Sequence, residues 1–322
     1  MKTKAKKLVS TKNMTKQDWL IWRQRGFGGS DIAGLLDMNP RYTSPLKVYI
    51  SKVEEVEQEE ETSEAAEWGT ILEPVIREQF KKRHPDLRVQ QSHFMWQHPE
   101  HEFMLANVDG FVYDKEKGWG VLEIKTASEY LLKKWDSDDG LVPEEYLLQA
   151  QHYLAVLGLN WGWFAVLIGG NKYREFYFER DQELIDYLII CEKDFWNNHI
   201  IPQIPPALDG SDASEEIIKR LYPADEAKPE TQRVVLPAEA GELLEQLDET
   251  KEQIKELERQ KKEAENKLKQ FIGEYQRASF LDREIKWSRI ESEKFDSKKL
   301  KEEHPELYKK YIKKSVYRRF SA

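Results

Sequence analysis

The chain of 322 residues contains one cysteine, Cys191, which excludes an internal disulfide framework. Its seven histidines are scattered without zinc-binding spacing, so a metal site built from these residues must rely on oxygen ligands, and iron–sulphur chemistry is excluded. No apolar run is long enough to suggest a membrane span, and the N-terminal MKTKAKK lacks the apolar segment of a secretory signal. A cytoplasmic location with no membrane partner is therefore expected. An excess of base is also missing. Fifty Lys and Arg stand against 59 Asp and Glu, a formal charge of −9, which sits awkwardly with DNA binding because that draws its affinity from phosphate neutralisation. Distribution matters more than the sum, since eight of the fourteen residues from Glu54 to Glu67 are acidic and none is basic. Such a stretch is expected to be a mobile, solvated loop or helix edge, leaving room for a basic channel elsewhere.

What is present is enough for a sizeable core, with 39% hydrophobic and 34% charged residues. Phe103 to Tyr113 (FMLANVDGFVY) and Trp119 to Thr126 (WGVLEIKT) are two apolar stretches joined by the turn-forming DKEKG, so a β-hairpin is expected. Alternation places Val121, Glu123 and Lys125 on one face, with Leu122 and Ile124 on the other. In the first strand it sets Asn107 and Asp109 against Ala106 and Val108. One hairpin can thus gather two carboxylates and an ammonium, the groups needed to hold Mg²⁺ and stabilise a pentavalent phosphorane. The same residues can equally form a cross-strand salt bridge without chemistry. Acid-x-lysine also occurs at Glu249, Glu265 and Asp296, on what read as solvated faces.

Val142 to Gly158 reads as an amphipathic helix carrying Gln149, Gln151 and Tyr153, and Glu67 to Arg83 as another, in which Thr70 and Glu73 have capping-box spacing and Pro74 suits an early helical position. Near the N-terminus RQRGFGGSDI offers an anion pocket from Gly28, Gly29, the Ser30 hydroxyl and the following helix, or simply a serine N-cap.

Beyond a proline-rich stretch, PQIPPALDGSD, the character changes. Eight of the ten positions 240, 243, 247, 250, 254, 257, 261, 264, 268 and 271 are apolar, as in a coiled coil or a long helix packed along one stripe. A small hairpin is expected over Ala278 to Ser292. From Lys298 to the end nine Lys or Arg face three Glu, interleaved with Tyr308, Tyr311, Tyr317 and Phe320. That composition suits single-strand binding or a short basic helix. The expected organisation is a basic tail (1–16), a compact core (17–205), a linker (206–238) and a helical arm (239–322).

The order of Arg25 with Gly28-Gly29-Ser30-Asp31, Trp68-Gly69-Thr70 with Glu73-Pro74, Leu105-Ala106-Asn107 with Asp109-Gly110, Leu122 to Ala127 (LEIKTA), and Gln149 to Tyr153 (QAQHY) resembles the YqaJ-like viral recombinases. These are phage-type exonucleases related to lambda exonuclease, within the PD-(D/E)xK nuclease superfamily. The resemblance covers roughly residues 17 to 210. It implies an α/β restriction-endonuclease-like core, a mixed central sheet flanked by helices, with the helical or coiled-coil arm appended. It also implies Mg²⁺-dependent (or Mn²⁺-dependent) 5′→3′ hydrolysis of linear duplex DNA, leaving a 3′ single strand for a single-strand annealing recombinase of the RecT type, and possible assembly as a homo-oligomeric ring trimer. On the same basis Asp109, Glu123 and the Ile124 carbonyl are expected metal ligands, Lys125 the catalytic lysine, and Glu73 the helical glutamate that reaches the metal. Gln149 and Tyr153 match a Q-x-x-x-Y motif, whereas lambda exonuclease favours Gln151 beside the active site. Arg25, Ser30 and Asn107 fall where the family binds the terminal 5′-phosphate. A basic residue that the family places after the catalytic lysine has no match, Leu131 standing there with Lys133 and Lys134 just beyond. The alternatives are a superfamily endonuclease and an end-binding adaptor that recruits the recombinase.

Overall fold

The computed structural model describes residues 3–38, 42–55, 63–135, 142–229 and 231–322; residues 56–62 of the acidic segment lie outside this description. The chain divides into two units, Met1–Leu221 and Tyr222–Ala322.

The first unit opens with strand β1 (Lys6–Ser10) and helices α1 (Lys16–Arg23), α2 (Gly29–Leu35) and α3 (Pro45–Val53). Ser44 caps α3 by accepting from the Lys47 N–H, and Pro45 fills the first turn, where its missing N–H costs nothing. Helix α4 (Glu64–Arg83) is capped by Ser63 and ends in Lys81, Lys82 and Arg83, cations that complement its C-terminal dipole. It begins earlier than expected. Thr70 is therefore not a cap, its hydroxyl donating to the Ala66 carbonyl at 3.2 Å, and Pro74 is interior. Lacking an N–H, Pro74 cannot pair the Thr70 carbonyl one turn back.

Strands β2 (Arg88–Gln91), β3 (Phe94–Gln97), β4 (Leu105–Ala106), β5 (Gly110–Asp114) and β6 (Gly118–Ala127) follow, then a short helix α5 (Leu132–Trp135), helix α6 (Glu144–Leu157), strands β7 (Trp161–Ile168) and β8 (Lys172–Glu179), and helices α7 (Gln182–Phe195) and α8 (Asp212–Leu221). The principal sheet has the order β2-β5-β6-β7-β8, antiparallel except where β6 runs parallel to β7 across the α6 crossover. A smaller sheet has the order β1-β3-β4. This is the mixed central sheet flanked by helices that the sequence implied.

The β5–β6 turn forms as expected, with Asp114 accepting from the Glu116 and Lys117 N–H groups and Gly118 adopting φ 76°. The first strand of the expected hairpin, however, is two strands in different sheets. Ala106 pairs with Trp96 in the smaller sheet, whereas Gly110 pairs with Leu122 in the larger, and Asn107 to Asp109 cross between them. Strand alternation therefore does not govern Asn107 and Asp109.

The two faces of β6 pack on different helices. Leu122 and Ile124 meet Ile76 and Phe80 of α4, while Val121 lies in the cluster that contains Ala150, Tyr153 and Leu154 of α6. Helix α6 is buried continuously from Leu148 to Leu157 and stops at Gly158, whose φ of 63° gives the left-handed cap that favours glycine. A third cluster joins Phe27, just before α2, with Ile32, Leu46, Leu188 and Ile217 from α2, α3, α7 and α8. The compact unit consequently includes β1 from the expected tail and α8 from the expected linker, extending past both ends of residues 17–205.

The second unit contains α9 (Ala240–Ile272), a hairpin of β9 (Arg277–Phe280) and β10 (Arg283–Lys286), and helices α10 (Ser297–Glu303) and α11 (Pro305–Tyr311). Along α9 the apolar stripe is mostly open, with Leu243, Ile254, Leu257 and Phe271 exposed.

Candidate active site

Glu123 is the centre of the site. Its side chain points from β6 toward α6 and is 2% exposed, a costly position for a carboxyl unless it is paired. Its Oε1 accepts from Lys125 Nζ at 2.8 Å and from Gln149 Nε2 at 2.8 Å. Its Oε2 is buried with no partner. Lys125 Nζ also donates to Gln149 Oε1 at 3.1 Å and lies 5.1 Å from the Tyr146 ring centroid. Gln149 Nε2 donates in addition to the Tyr153 hydroxyl at 3.0 Å, so both ends of this amide are engaged.

Asp109 reaches the same place from the crossing between sheets. Its Oδ2 accepts from the Ile124 N–H at 2.7 Å, which fixes the carboxylate beside β6. Glu73 approaches from α4, paired with Arg77 one turn later, and Arg77 is itself 6% exposed with a buried, unpartnered Nε. Helical i,i+4 spacing explains the pair.

Burial pushes Glu123 up to about 8, reinforced by Asp109 and opposed by Lys125. Burial also holds Asp109 above its usual range, although Lys125, the Ile124 N–H and Arg77 pull the other way. Glu73 is raised by burial and by Asp109, against Arg77. Burial would lower Lys125, but Glu123 and Asp109 outweigh it and keep the ammonium above its ordinary value. Three raised carboxyls around two cations describe a pocket short of positive charge. Among the described residues, however, no three His, Cys, Asp or Glu are grouped closely enough to hold a metal by themselves. The donors that fit an ion are Asp109 and Glu123, whose Oε2 is unspent, which matches the one or two carboxylates that Mg²⁺ takes alongside water and phosphate oxygens.

The two glutamines of α6 separate. Gln149 is in the site, whereas Gln151 turns to the opposite side, donating to the Glu179 carbonyl at 2.7 Å and accepting from the Asp181 N–H at 2.9 Å. Gln151 therefore ties α6 to the end of β8 and the start of α7; it is not beside Lys125. The neighbouring His152 and Glu192 form a fully buried pair at 2.8 Å, with the other imidazole nitrogen 2.8 Å from the Leu105 carbonyl.

The glycine-serine turn lies against this helix. A Cβ on Gly29 would come within 2.7 Å of Gln149 Cγ and Tyr153 Cε1, so only glycine permits the contact. Asp31 holds the turn by accepting from the Gly28 N–H, Arg23 and the buried Lys52. Ser30 receives a hydrogen bond from Arg23 at 2.9 Å, whereas Arg25 is exposed and stacks on Trp22 at 4.1 Å. Ser30 is thus held by Arg23, while Arg25, the other arginine of the stretch, lies on Trp22. Asn107 is half-buried in the crossing, two residues before Asp109. Leu131 is exposed just before α5, and Lys133 and Lys134 are exposed on it.

Arg23 belongs to the RQRGFGGSDI stretch that the sequence singles out, whereas Lys52 and Arg77 have no place in the sequence expectations. Of the latter two, only Arg77 has a local signal, its i,i+4 spacing from Glu73.

A sequence profile described as "YqaJ-like viral recombinase domain" matches residues 18–160, a span that contains Ser30, Glu73, Asp109, Glu123, Lys125 and Gln149. The chain is 38% identical to "Uncharacterized protein YqaJ" of Bacillus subtilis (strain 168) over 328 residues, covering 98% of this chain and 97% of that one. It is similar to the crystal structure of an alkaline exonuclease (LHK-Exo) from Laribacter hongkongensis, at 20% identity and TM-score 0.48 over 64% of this chain and 97% of that one. It is also similar to a phage related exonuclease from Haemophilus somnus 129PT, at 12% identity and TM-score 0.40 over 55% of this chain and 96% of that one. With near-complete coverage by its Bacillus relative, the chain belongs to the YqaJ-like viral recombinase family.

Proposed function

We propose that this chain is a metal-dependent deoxyribonuclease that degrades linear duplex DNA 5′→3′ and leaves a 3′ single strand for a single-strand annealing recombinase of the RecT type. The observation that carries this is Glu123, a buried carboxylate with one oxygen held by Lys125 and Gln149 and the other unpartnered beside Asp109. A salt bridge serving only the fold would have no use for the unspent oxygen or for a second carboxyl that raises its charging cost.

Asp109, Glu123 and the Ile124 carbonyl are the groups that would hold Mg²⁺ or Mn²⁺, with Glu73 at the edge of the shell. Bound there, the ion supplies Lewis-acid stabilisation and a water of lowered pKa. Lys125, beside Glu123, would serve as a fixed donor toward developing negative charge on the phosphate and would orient or deprotonate the attacking water. Gln149 fixes Lys125 and Glu123 relative to each other, and Tyr153 secures Gln149. The Gly28 to Ser30 turn, packed on the same helix, is the candidate grip for a terminal 5′-phosphate, with Ser30, Arg23, Arg25 and Asn107 as its polar groups.

The test uses linear duplexes labelled at the 5′ or 3′ end, with and without terminal phosphate, and a closed duplex circle in Mg²⁺. Mononucleotide release from phosphorylated 5′ ends, with the circle intact, is expected. Lys125→Ala and Asp109→Ala should abolish release while the circular-dichroism spectrum is unchanged. Cleavage of the circle points to an endonuclease instead, and full activity in either variant refutes the site.

A further inference from the structure

We infer that the C-terminal segment from Lys298 to Ala322 is a second nucleic-acid site, one that binds single-stranded DNA without metal and without a free end. It is independent of the proposed catalytic site and goes beyond that reading.

The segment carries nine Lys or Arg against three Glu in a chain of net charge −9. The protein has thus concentrated base where the whole is acidic, the distribution expected of a phosphate-binding surface. Its helices are short. Helix α11 ends at Tyr311, and residues 312–322 contain no regular structure, so a continuous basic helix does not account for the pattern. Tyr311, Tyr317 and Phe320 are 72%, 75% and 82% exposed. Three open rings within ten residues make little sense as core and supply stacking platforms for bases, while Lys309, Lys310, Lys313, Lys314, Arg318 and Arg319 supply the charge for phosphates. Lys310 Nζ already lies 5.6 Å from the Tyr311 ring, the mixture of cation and ring that such sites use. An anionic membrane surface is the less suitable partner, because interfacial anchoring uses a sustained amphipathic helix that residues 312–322 do not form.

The experiment measures fluorescence anisotropy of a labelled, circularised single-stranded oligonucleotide with the full chain in EDTA, so that neither hydrolysis nor end recognition contributes. Two variants are compared: Tyr311→Ala/Tyr317→Ala/Phe320→Ala, and Lys313→Gln/Lys314→Gln/Arg318→Gln/Arg319→Gln. Each stacked ring lost should weaken binding about 5- to 150-fold without changing the salt slope. Four charges lost should reduce the slope of log K against log salt by about 3. All these residues are exposed, so folding is expected to be unchanged by thermal melt. Equal affinity of both variants and the parent overturns the inference. So does ring-independent binding that a duplex circle matches, which marks simple charge attraction, or competition by phosphatidylglycerol vesicles that exceeds that of the oligonucleotide, which marks a membrane site.

Discussion

Replacing Glu123 with glutamine should make the protein more stable than its parent at alkaline pH, and the size of the effect follows from the buried carboxyl. Glu123 moves from an ordinary 4.5 to about 8 on folding. Between those values the folded chain retains a proton that the unfolded chain has lost, so the parent's stability falls as pH rises through the window. Each tenfold difference in proton affinity between the two states corresponds to about 1.4 kcal/mol. Glutamine has the shape of the neutral acid, can still accept from Lys125 and Gln149, and never ionises. The stability of Glu123→Gln relative to the parent should therefore rise by up to about 4 kcal/mol between pH 5 and pH 8.5. For a unit of this size that is a relative gain in Tm of roughly 8 to 16 °C. Asp109 and Glu73 remain in both proteins but ionise more easily once the Glu123 charge is gone, which acts in the same direction, so the difference reports the group of carboxyls together. Thermal and urea melts in EDTA across this pH range provide the measurement. Adding Mg²⁺ at pH 8.5 should stabilise the parent by about 2.7 kcal/mol at a hundredfold excess over Kd, and the variant far less. A difference that is flat with pH, or one that turns in favour of the parent as pH rises, refutes the assignment of a raised carboxyl at this position.

The other expectations concern neighbours of that group. Gln149→Ala should lower nuclease turnover on the order of 10- to 100-fold with the melt little changed. Gln151→Ala should spare turnover and cost about 1 to 3 kcal/mol in urea titration, because the Glu179 carbonyl and Asp181 N–H lose their partner; the reverse pattern would restore Gln151 to the active site. Arg77→Met removes the cation that opposes the upward pull on Glu73 and Asp109, so the rise of the pH–rate profile should move to higher pH, and an unmoved profile counts against that role. His152→Ala leaves Glu192 buried alone and should destabilise the chain by about 3 to 5 kcal/mol, read by denaturant midpoint; an unchanged midpoint would mean that the pair is not charged.

Much of this site is written locally. The Asp114 to Gly118 turn, the Gly158 stop and the alternation along β6 are short-range features, so the partition of Glu123 and Lys125 from Leu122 and Ile124 could be read from sequence. Where the chain departs from expectation, a distant partner decides. LANVDGFV has the apolar pattern of one continuous strand, but pairing of Ala106 with Trp96 in a second sheet breaks it at Asn107, and nothing local announces that pairing. Thr70 and Glu73 satisfy a capping-box pattern by coincidence, since Ser63 already starts the helix. The choice between Gln149 and Gln151 was contained in helical geometry: Gln149 and Tyr153 are four apart and share a face, while Gln151 lies on another. Arg23 closes α1 and bonds Ser30 while Arg25 lies past the helix end, a boundary that composition does not fix.

Gly29 has a further implication, for step size. Its backbone sits so close to Gln149 and Tyr153 that not even a methyl group can be inserted, which leaves the glycine-serine turn and the helix bearing Gln149 no slack between them. If the turn grips a chain end and Gln149 steadies the cutting groups, the spacing from grip to cut behaves as an incompressible ruler. Such an enzyme would count nucleotides by rigid contact, and lengthening that contact by one atom should blur the size of its products before it slows their release.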